Sequence, residues 1–261
     1  MRRWTIGAAA SVMVVGAAIL AGAAGAQAPA PQSISLQNTG QGWQPVVFVC
    51  DSTNRDRVLT LSAPARDRTA TLTAFAKPGL ATRTMEVRVG ASEAGMSQIW
   101  YPLTDANGRT LGNVHAVNPG VVEPGATTPT VTSIALGDDT SSCRFAPQTR
   151  VLGVTPKRSI QITRTENRGY RYRSYNYDSN LPEVSQPWGG RDTRASLTID
   201  NGRLFAQRGG TRVYQFENGG YVYRVLASTD ATQAGGGVQV WHAGKLVLAE
   251  RFGAYTAAVQ P

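Results

Sequence analysis

The chain has 261 residues and a net charge of +9, with 26 Lys and Arg residues against 17 Asp and Glu residues. It contains two cysteines and two histidines, without CxxC or HExxH spacing, so the sequence predicts no metal site and no cofactor. The positive charge favours anionic partners such as lipid head groups or acidic glycans. Alternatively, the charge only keeps the protein soluble.

The first 26 residues have the features of a cleaved secretory signal peptide. Arg2 and Arg3 precede an apolar stretch over residues 6–24, and a small-x-small site ends at Ala26. The stretch is close to the length that spans a bilayer, so a retained anchor is the alternative. We therefore predict a periplasmic or secreted protein with no transmembrane anchor after cleavage.

Cys50 and Cys143 are predicted to form a disulfide, because an even number of cysteines in an oxidising compartment favours pairing. The bond would join a strand that ends at Cys50 to a loop over residues 138–143.

Short alternating runs rich in Val, Thr, Tyr and Arg, separated by Gly and Asn turns, predict an all-β chain. Asn107-Gly108 marks a hairpin, because both residue types tolerate positive φ. Residues 118–129 contain three prolines and predict a loop. The strands predicted in the first half are 33–37, 46–51, 57–63, 68–75, 82–90, 97–103, 109–117 and 130–136.

The second half has the pattern of a β-meander. Strand 159–164 turns into strand 170–177, and short strands then alternate with glycine turns. The pattern predicts an antiparallel sheet that curls into a sandwich or small barrel. A boundary near 145–158 would separate a disulfide-closed domain, residues 27–150, from a meander domain, residues 151–261. Alternatively, the two halves share one sandwich.

Two of the predicted hairpins carry similar sequences. Residues 166–173 match residues 217–224 at six of eight positions. Each segment ends in Tyr-x-Tyr, which places two rings on one face of a strand. Shared turn chemistry explains this similarity, because Asn and Gly close both hairpins, with equivalent parts of the fold as the alternative.

Residues 168–177 hold the densest cluster of Tyr and Arg in the chain. In a regular strand, Tyr170 and Tyr172 face the core and the neighbouring arginines face solvent, which disfavours nucleic acid, since its binding needs rings and cations on one surface. A β-bulge at Ser174 would turn the two following tyrosines to the arginine face. The resulting strip would suit a glycan or an anionic polymer, and it consists of Arg171, Arg173, Tyr175 and Tyr177.

A second candidate binding site surrounds Trp188. Pro and Gly flank this residue, which predicts an aromatic side chain in a loop, where ligands often bind. Arg191 lies nearby in the sequence and would add a cation. Alternatively, Trp188 closes one end of the sandwich and Arg191 pairs with Asp192.

Catalytic motifs are missing from the sequence. There is no GxSxG motif, and Asp51, Asn54 and Asp56 lack the glycine and closing glutamate of a calcium loop. His115 and His242 are the only imidazoles that a catalytic triad could use. We predict that the protein is not an enzyme, with an envelope hydrolase as the alternative.

Residues 142–145, 149–155 and 214–223 resemble segments of uncharacterised exported β-rich proteins of Gram-negative bacteria. The resemblance implies location and fold, and it carries no assigned activity. The leading hypothesis is a non-enzymatic exported protein that binds a cell-envelope component: an anionic glycan, a lipid head group or an envelope protein. A further alternative is an inhibitor of an exogenous hydrolase that acts through the Trp188 loop.

Overall fold

Strands form almost all of the regular structure in the computed structural model. It describes residues 33–118, 129–144, 146, 148–178, 183–185 and 191–259, and only the backbone of 183–185 and 191–193. The strands of the first half are β1 (Ser33–Asn38), β2 (Trp43–Asp51), β3 (Arg57–Ser62), β4 (Thr69–Ala76), β5 (Thr82–Val89), β6 (Glu93–Gly95), β7 (Gln98–Thr104), β8 (Thr110–Val117), β9 (Thr130–Leu136) and β10 (Asp139–Ser142).

The second half is also built from strands, with one short 3-10 helix at Ala231–Gln233. Its strands are β11 (Thr149–Val154), β12 (Arg158–Arg164), β13 (Tyr170–Asn176), β14 (Glu183–Ser185), β15 (Arg191–Thr193), β16 (Leu197–Arg208), β17 (Thr211–Asn218), β18 (Tyr221–Ser228), β19 (Gly236–His242), β20 (Lys245–Arg251) and β21 (Ala254–Ala258).

Nineteen of the described strands form one antiparallel sheet, and β14 pairs with β15 separately. The pairing runs from β10 through β9, β8, β7, β5, β4, β3, β2, β1, β21, β11, β12, β13, β16, β17, β18 and β19 to β20, with β6 beside β7. The all-β class, the antiparallel pairing and the C-terminal meander are thus confirmed. The ladder of described strands ends at β10 and β20 and is not closed into a barrel.

The strands predicted in the first half are present, with ends shifted by at most a few residues. One prediction in the middle of the chain is wrong, and a strand lies in the segment predicted as a boundary. The loop predicted over residues 138–143 contains β10, which turns back on β9 through Gly137, at a φ of 58°. The segment 145–158, predicted as a boundary, contains β11, which lies between β12 and β21. Its residues Val151–Val154 are all buried, so the strand lacks the alternation that marks a half-exposed one.

The first and last described strands meet inside the sheet. β1 pairs with β21 in a register that places Ser33 opposite Ala258, and β21 also pairs with β11. Strands of the first half are therefore hydrogen-bonded to strands of the second half. Whether residues 27–150 and 151–261 fold as separate units stays a prediction, because strand pairing does not measure folding units.

Buried side chains form a core in each half and a smaller cluster that draws on both. Phe48, Leu72 and Ile134 belong to the first core, and Tyr172, Phe216 and many others belong to the second. The smaller cluster combines residues of β2, β3 and β4 with Val154 and Ala254. Because the second core includes residues from β11 to β13 and from β17 to β21, the sheet curls around it.

The predicted disulfide between Cys50 and Cys143 is present, across a sequence separation of 93 residues. Cys50 is fully buried in the first core, and Cys143 also forms a single bridge pair with Ser52. The cross-link therefore attaches the end of β10 to the end of β2.

Replacing both cysteines, Cys50→Ser with Cys143→Ser, should lower the free energy of unfolding by about 4 kcal/mol, since the unfolded chain then regains the entropy of a long open loop. Urea unfolding under oxidising conditions measures the loss. Dithiothreitol should destabilise the wild-type protein and leave the double variant unchanged. Equal unfolding free energies for the two proteins would contradict a stabilising role of the bond.

Candidate functional site

Strand β13 carries most of the predicted strip on one face, and its other face lines a pocket. Its pairing with β12 runs without a break from Tyr170 to Asn176, so the bulge predicted at Ser174 is absent from this ladder. The register shifts instead in the pairing with β16, between Tyr170 and Tyr172. Regular alternation alone places Arg171, Arg173, Tyr175 and Tyr177 on one face of the strand.

These four side chains share a face but do not form an exposed strip. Arg171 is partly exposed and forms an ion pair with Asp200, and Arg173 is half-buried. Tyr175 is only 6% exposed, and Tyr177 is half-buried. The rings are therefore largely withdrawn from solvent, while the arginines lie nearer the surface.

Two cations and one carboxylate cover the tyrosine end of this face. The Asp51 carboxylate lies 2.5 Å from Nζ of Lys77 and 2.6 Å from Nε of Arg144. All three side chains are at least nine-tenths buried. We call these residues the Asp51 cluster. The Asp51 carboxylate is thus committed to an ion pair with two cations and is not part of a calcium loop.

The Asp51 cluster packs directly on Tyr175 of β13 and on Tyr177, the residue after this strand. The Arg144 guanidinium lies 3.4 Å from the ring centroid of Tyr175, and Nζ of Lys77 lies 5.3 Å from that of Tyr177. The Tyr177 hydroxyl is 3.0 Å from the Ser159 hydroxyl. Burial, with a contribution from the Asp51 charge, raises the pKa of Tyr177. Cation–π contacts of buried groups are stabilising, so this end of the predicted strip joins the two halves of the protein.

The pKa of Asp51 shows which effect dominates in the cluster. Burial would raise it, but the charges of Lys77 and Arg144 together outweigh burial and hold the pKa at about 2, below the usual 3.8. The carboxylate therefore carries its charge in the folded protein at every physiological pH.

The lowered pKa predicts a stability contribution of about 2 kcal/mol from Asp51. This contribution is complete above about pH 4, because the unfolded carboxyl is then also ionised, and it is lost as the pH falls towards 2. Chemical unfolding measured from pH 6 to pH 2 should show the loss. The Lys77→Met variant, which keeps Arg144, should show a smaller acid-induced loss than the wild-type protein, because the pKa of folded Asp51 then lies closer to its unfolded value.

Asp51→Asn should lower the free energy of unfolding at pH 7 by about 3–5 kcal/mol, because two buried cations then lose their counter-charge. Asp200→Asn is the matched control, since it breaks the partly exposed pair with Arg171 and should cost at most about 1 kcal/mol. Similar losses of unfolding free energy in the two variants would show that the Asp51 cluster stabilises the protein no more than the partly exposed Arg171–Asp200 pair does.

A pocket of about 300 Å³ lies on the opposite face of β13. Tyr172, Ser174 and Asn176 of this strand line it, and side chains of β12, β16, β18, β19 and β20 form the other walls. Tyr172 and Val238 are almost fully buried, whereas Tyr221 and Val247 are exposed. The pocket therefore extends from the second core to the surface of the protein.

Tyrosines from both copies of the eight-residue motif line this pocket. Tyr172 belongs to the first copy, and Tyr221 and Tyr223 belong to the second. The Tyr172 and Tyr223 ring centroids are 5.7 Å apart, and Tyr221 stacks on His242 at 4.4 Å. The repeated Tyr-x-Tyr was the sequence signal for this site, although its position in a shared pocket was not predicted.

The charged groups at the pocket are already paired. Nη2 of Arg158 lies 3.0 Å from Oε1 of Glu250, and Glu250 also accepts a 2.7 Å hydrogen bond from Thr155. Burial raises the pKa of Tyr172 to about 12, so its phenol is neutral. The pocket therefore presents aromatic rings, hydroxyls and aliphatic side chains to a ligand, with little net charge.

One polar atom of the pocket is left without a partner. Oδ1 of Asn176 is buried, and it has no hydrogen-bond partner in the part of the chain that the structure describes. Buried acceptors of this kind are rare, because each one loses a hydrogen bond to water. Because this oxygen has almost no accessible surface, it does not face the open cavity.

The Trp188 site cannot be compared with this pocket. Trp188 lies outside the described residues, and Arg191 opens β15, of which only the backbone is described. In the sequence, both residues fall between Asn176 and Leu197, which line the pocket. A ligand-binding role of Trp188 and Arg191 stays a prediction.

The two histidines lie in separate parts of the sheet. The ring nitrogens of His115 are each 2.7 Å from a neighbour, Oε1 of Gln98 and Oγ1 of Thr132. His242 is exposed at the end of β19 and contacts the ring of Tyr221. The geometry therefore does not bring the two imidazoles together.

Comparison with known proteins gives no relative: no family model, curated protein or solved structure matches the chain. Among the described residues, no helix has both the length and the apolar character needed to cross a membrane.

Proposed function

We propose that the protein is a non-catalytic exported protein that binds a glycan of the cell envelope, with one sugar unit held in the β13 pocket. The observation that carries the proposal is the pair of Tyr-x-Tyr motifs that converge on this pocket. The proposal places the binding site on the Tyr172 face of β13, since the Tyr175 face is covered by the Asp51 cluster.

The size and lining of the pocket support a sugar ligand. A volume of about 300 Å³ is at the small end of ligand sites, enough for one ring rather than a long chain segment. Aromatic faces carry partial negative charge and attract the C–H groups of a sugar ring. Tyrosine hydroxyls and Asn176 offer hydrogen-bond partners to the hydroxyl groups at the ring edge.

The charge of the protein supports a polymer of the envelope as the source of this sugar. The net charge is positive, and exposed arginines occur at β5, β16 and β20, far from one another in the sequence: Arg83, Arg88, Arg203, Arg208 and Arg251. Such a distribution attracts an anionic polymer over a distance without fixing its orientation.

Tyr223→Ala should reduce retention of the protein on insoluble peptidoglycan about tenfold at low salt, because it removes one of the three tyrosine rings that line the pocket. Co-sedimentation with purified peptidoglycan measures retention. Phe205→Ala is the matched control: Phe205 is 48% exposed and contacts Arg224, which follows Tyr223 in β18 and therefore faces away from the pocket.

Absence of retention of the wild-type protein on peptidoglycan and on lipopolysaccharide at low salt would contradict the proposed function. Equal losses in the Tyr223→Ala and Phe205→Ala variants would contradict the assignment of the pocket.

A further inference from the structure

We propose that the face of the meander opposite the β13 pocket docks on the surface of an anionic lipid bilayer. We call it the outer face, and it comprises the side chains of β16 from Arg203 onwards and of β17, β18, β19 and β20 that project away from the second core. Docking there is independent of glycan binding, since the two functions use opposite faces of one sheet. Its basis is a pair of exposed apolar side chains among arginines, Phe205 and Leu246.

Cross-strand pairing brings the side chains of the outer face together. Val222 of β18 lies opposite Trp241 of β19, and Trp241 lies opposite Leu246 of β20. Arg224 follows Val222 by two residues and therefore projects from the same face. Its guanidinium is 4.6 Å from the ring centroid of Phe205 and 5.8 Å from that of Trp241. The outer face thus combines two aromatic rings, a cation and aliphatic side chains in one patch.

Two apolar side chains of the outer face project into solvent. Phe205 is 48% exposed and Leu246 is 47% exposed, whereas Trp241 is partly buried. Phe205 is the extra residue of a β-bulge, since Leu204 and Ala206 pair with successive residues of β17, and a bulge re-aims a side chain. Removal of such apolar surface from water is favourable. The boundary between lipid headgroups and acyl chains buries aromatic and aliphatic side chains and leaves neighbouring cations at the surface.

Strand register places four arginines on the outer face. Arg203 and Arg224 both lie opposite Gln215 of β17. Arg251 lies opposite Gly237 of β19 and projects from the same side as Arg224. Arg208 lies opposite Thr211, which precedes Gln215 by four residues and so shares its face. The outer face therefore presents cations from both of its border strands, β16 and β20.

The charge of the outer face complements anionic lipid headgroups. Glu217 is the single acid on this face of these strands, all of whose residues the structure describes, and it lies 3.8 Å from Arg203. Basic residues at the surface of an anionic membrane are attracted to it within about one Debye length. Charge alone would also attract a soluble anionic polymer, but the exposed Phe205 and Leu246 side chains gain only where an apolar layer lies beneath the anions. The combination therefore favours a bilayer.

Vesicle co-sedimentation tests this inference with the exported protein, purified after removal of the predicted signal peptide. At low salt, the wild-type protein should bind vesicles of equimolar phosphatidylglycerol and phosphatidylcholine at least about tenfold more tightly than vesicles of phosphatidylcholine alone. Phe205→Ala combined with Leu246→Ala should weaken binding to the anionic vesicles about tenfold, because two apolar side chains no longer enter the headgroup region. Met96→Ala is the matched control, since Met96 is 98% exposed but lies in the turn before β7.

Two pairs of arginine variants test the contribution of charge without changing the apolar side chains. Arg208→Gln combined with Arg251→Gln should weaken binding to the anionic vesicles at least about tenfold. Arg83→Gln combined with Arg88→Gln removes the same charge from exposed positions of β5 and should weaken binding less than about twofold. All four arginines are exposed, so the melting temperatures of both variants should equal that of the wild-type protein.

Four results would overturn the inference. Absence of wild-type binding to the anionic vesicles, or equally tight binding to the neutral ones, would refute docking on an anionic bilayer. Equal losses in the two pairs of arginine variants would show that overall charge attracts the lipid without a defined face. Loss of peptidoglycan retention in the Phe205→Ala and Leu246→Ala variant, with vesicle binding unchanged, would assign the outer face to the polymer. Because the vesicles contain no glycan, failure to bind them leaves the proposed function standing.

Discussion

The buried Asp51 carboxylate connects distant segments of the chain. Its two cations are Lys77, in the turn after β4, and Arg144, the second residue after β10, and these cations contact Tyr177 and Tyr175, at the end of β13. Asp51 and Arg144 directly follow the two cysteines of the disulfide in the sequence. The covalent bond and the ion pair thus hold the same two segments, and the charge cluster extends this connection into the second half.

This arrangement has a consequence for the pocket on the other side of β13. Side chains alternate along a strand, so a residue fixed on one face also fixes the backbone from which its neighbours project. Tyr175 and Tyr177 contact the Asp51 cluster, and Ser174 and Asn176, the neighbours of Tyr175 on either side, line the pocket. Binding sites gain precision when rigid elements carry them. In the proposed function, a strand held by these contacts forms one wall of the sugar site.

The sequence predicts the strands far better than the site, for a physical reason. Half-buried strands such as β4 and β8 alternate in polarity and end at turn residues, so local pattern suffices. β11 lacks this alternation because it is buried on both faces, so the local pattern does not reveal it. Lys77 and Arg144 resemble surface cations until the chain folds, since the carboxylate that pairs them is distant in sequence. The Tyr-x-Tyr repeat was visible, but only the curl of the sheet brings Tyr172 within 5.7 Å of Tyr223.

In the proposed function, attraction of the anionic polymer and recognition of its sugar unit depend on different groups of the protein. Arg158 is neutralised by Glu250, and Asp51 offsets one of the two buried charges of Lys77 and Arg144, so these three cations add one net charge. Most of the net positive charge therefore acts through exposed arginines outside the pocket. Charges at a distance raise the rate of encounter with an anionic polymer and lose strength in salt. Contacts inside a neutral, partly apolar pocket are insensitive to salt, so in the proposed function selectivity for the sugar would persist where retention on the polymer weakens.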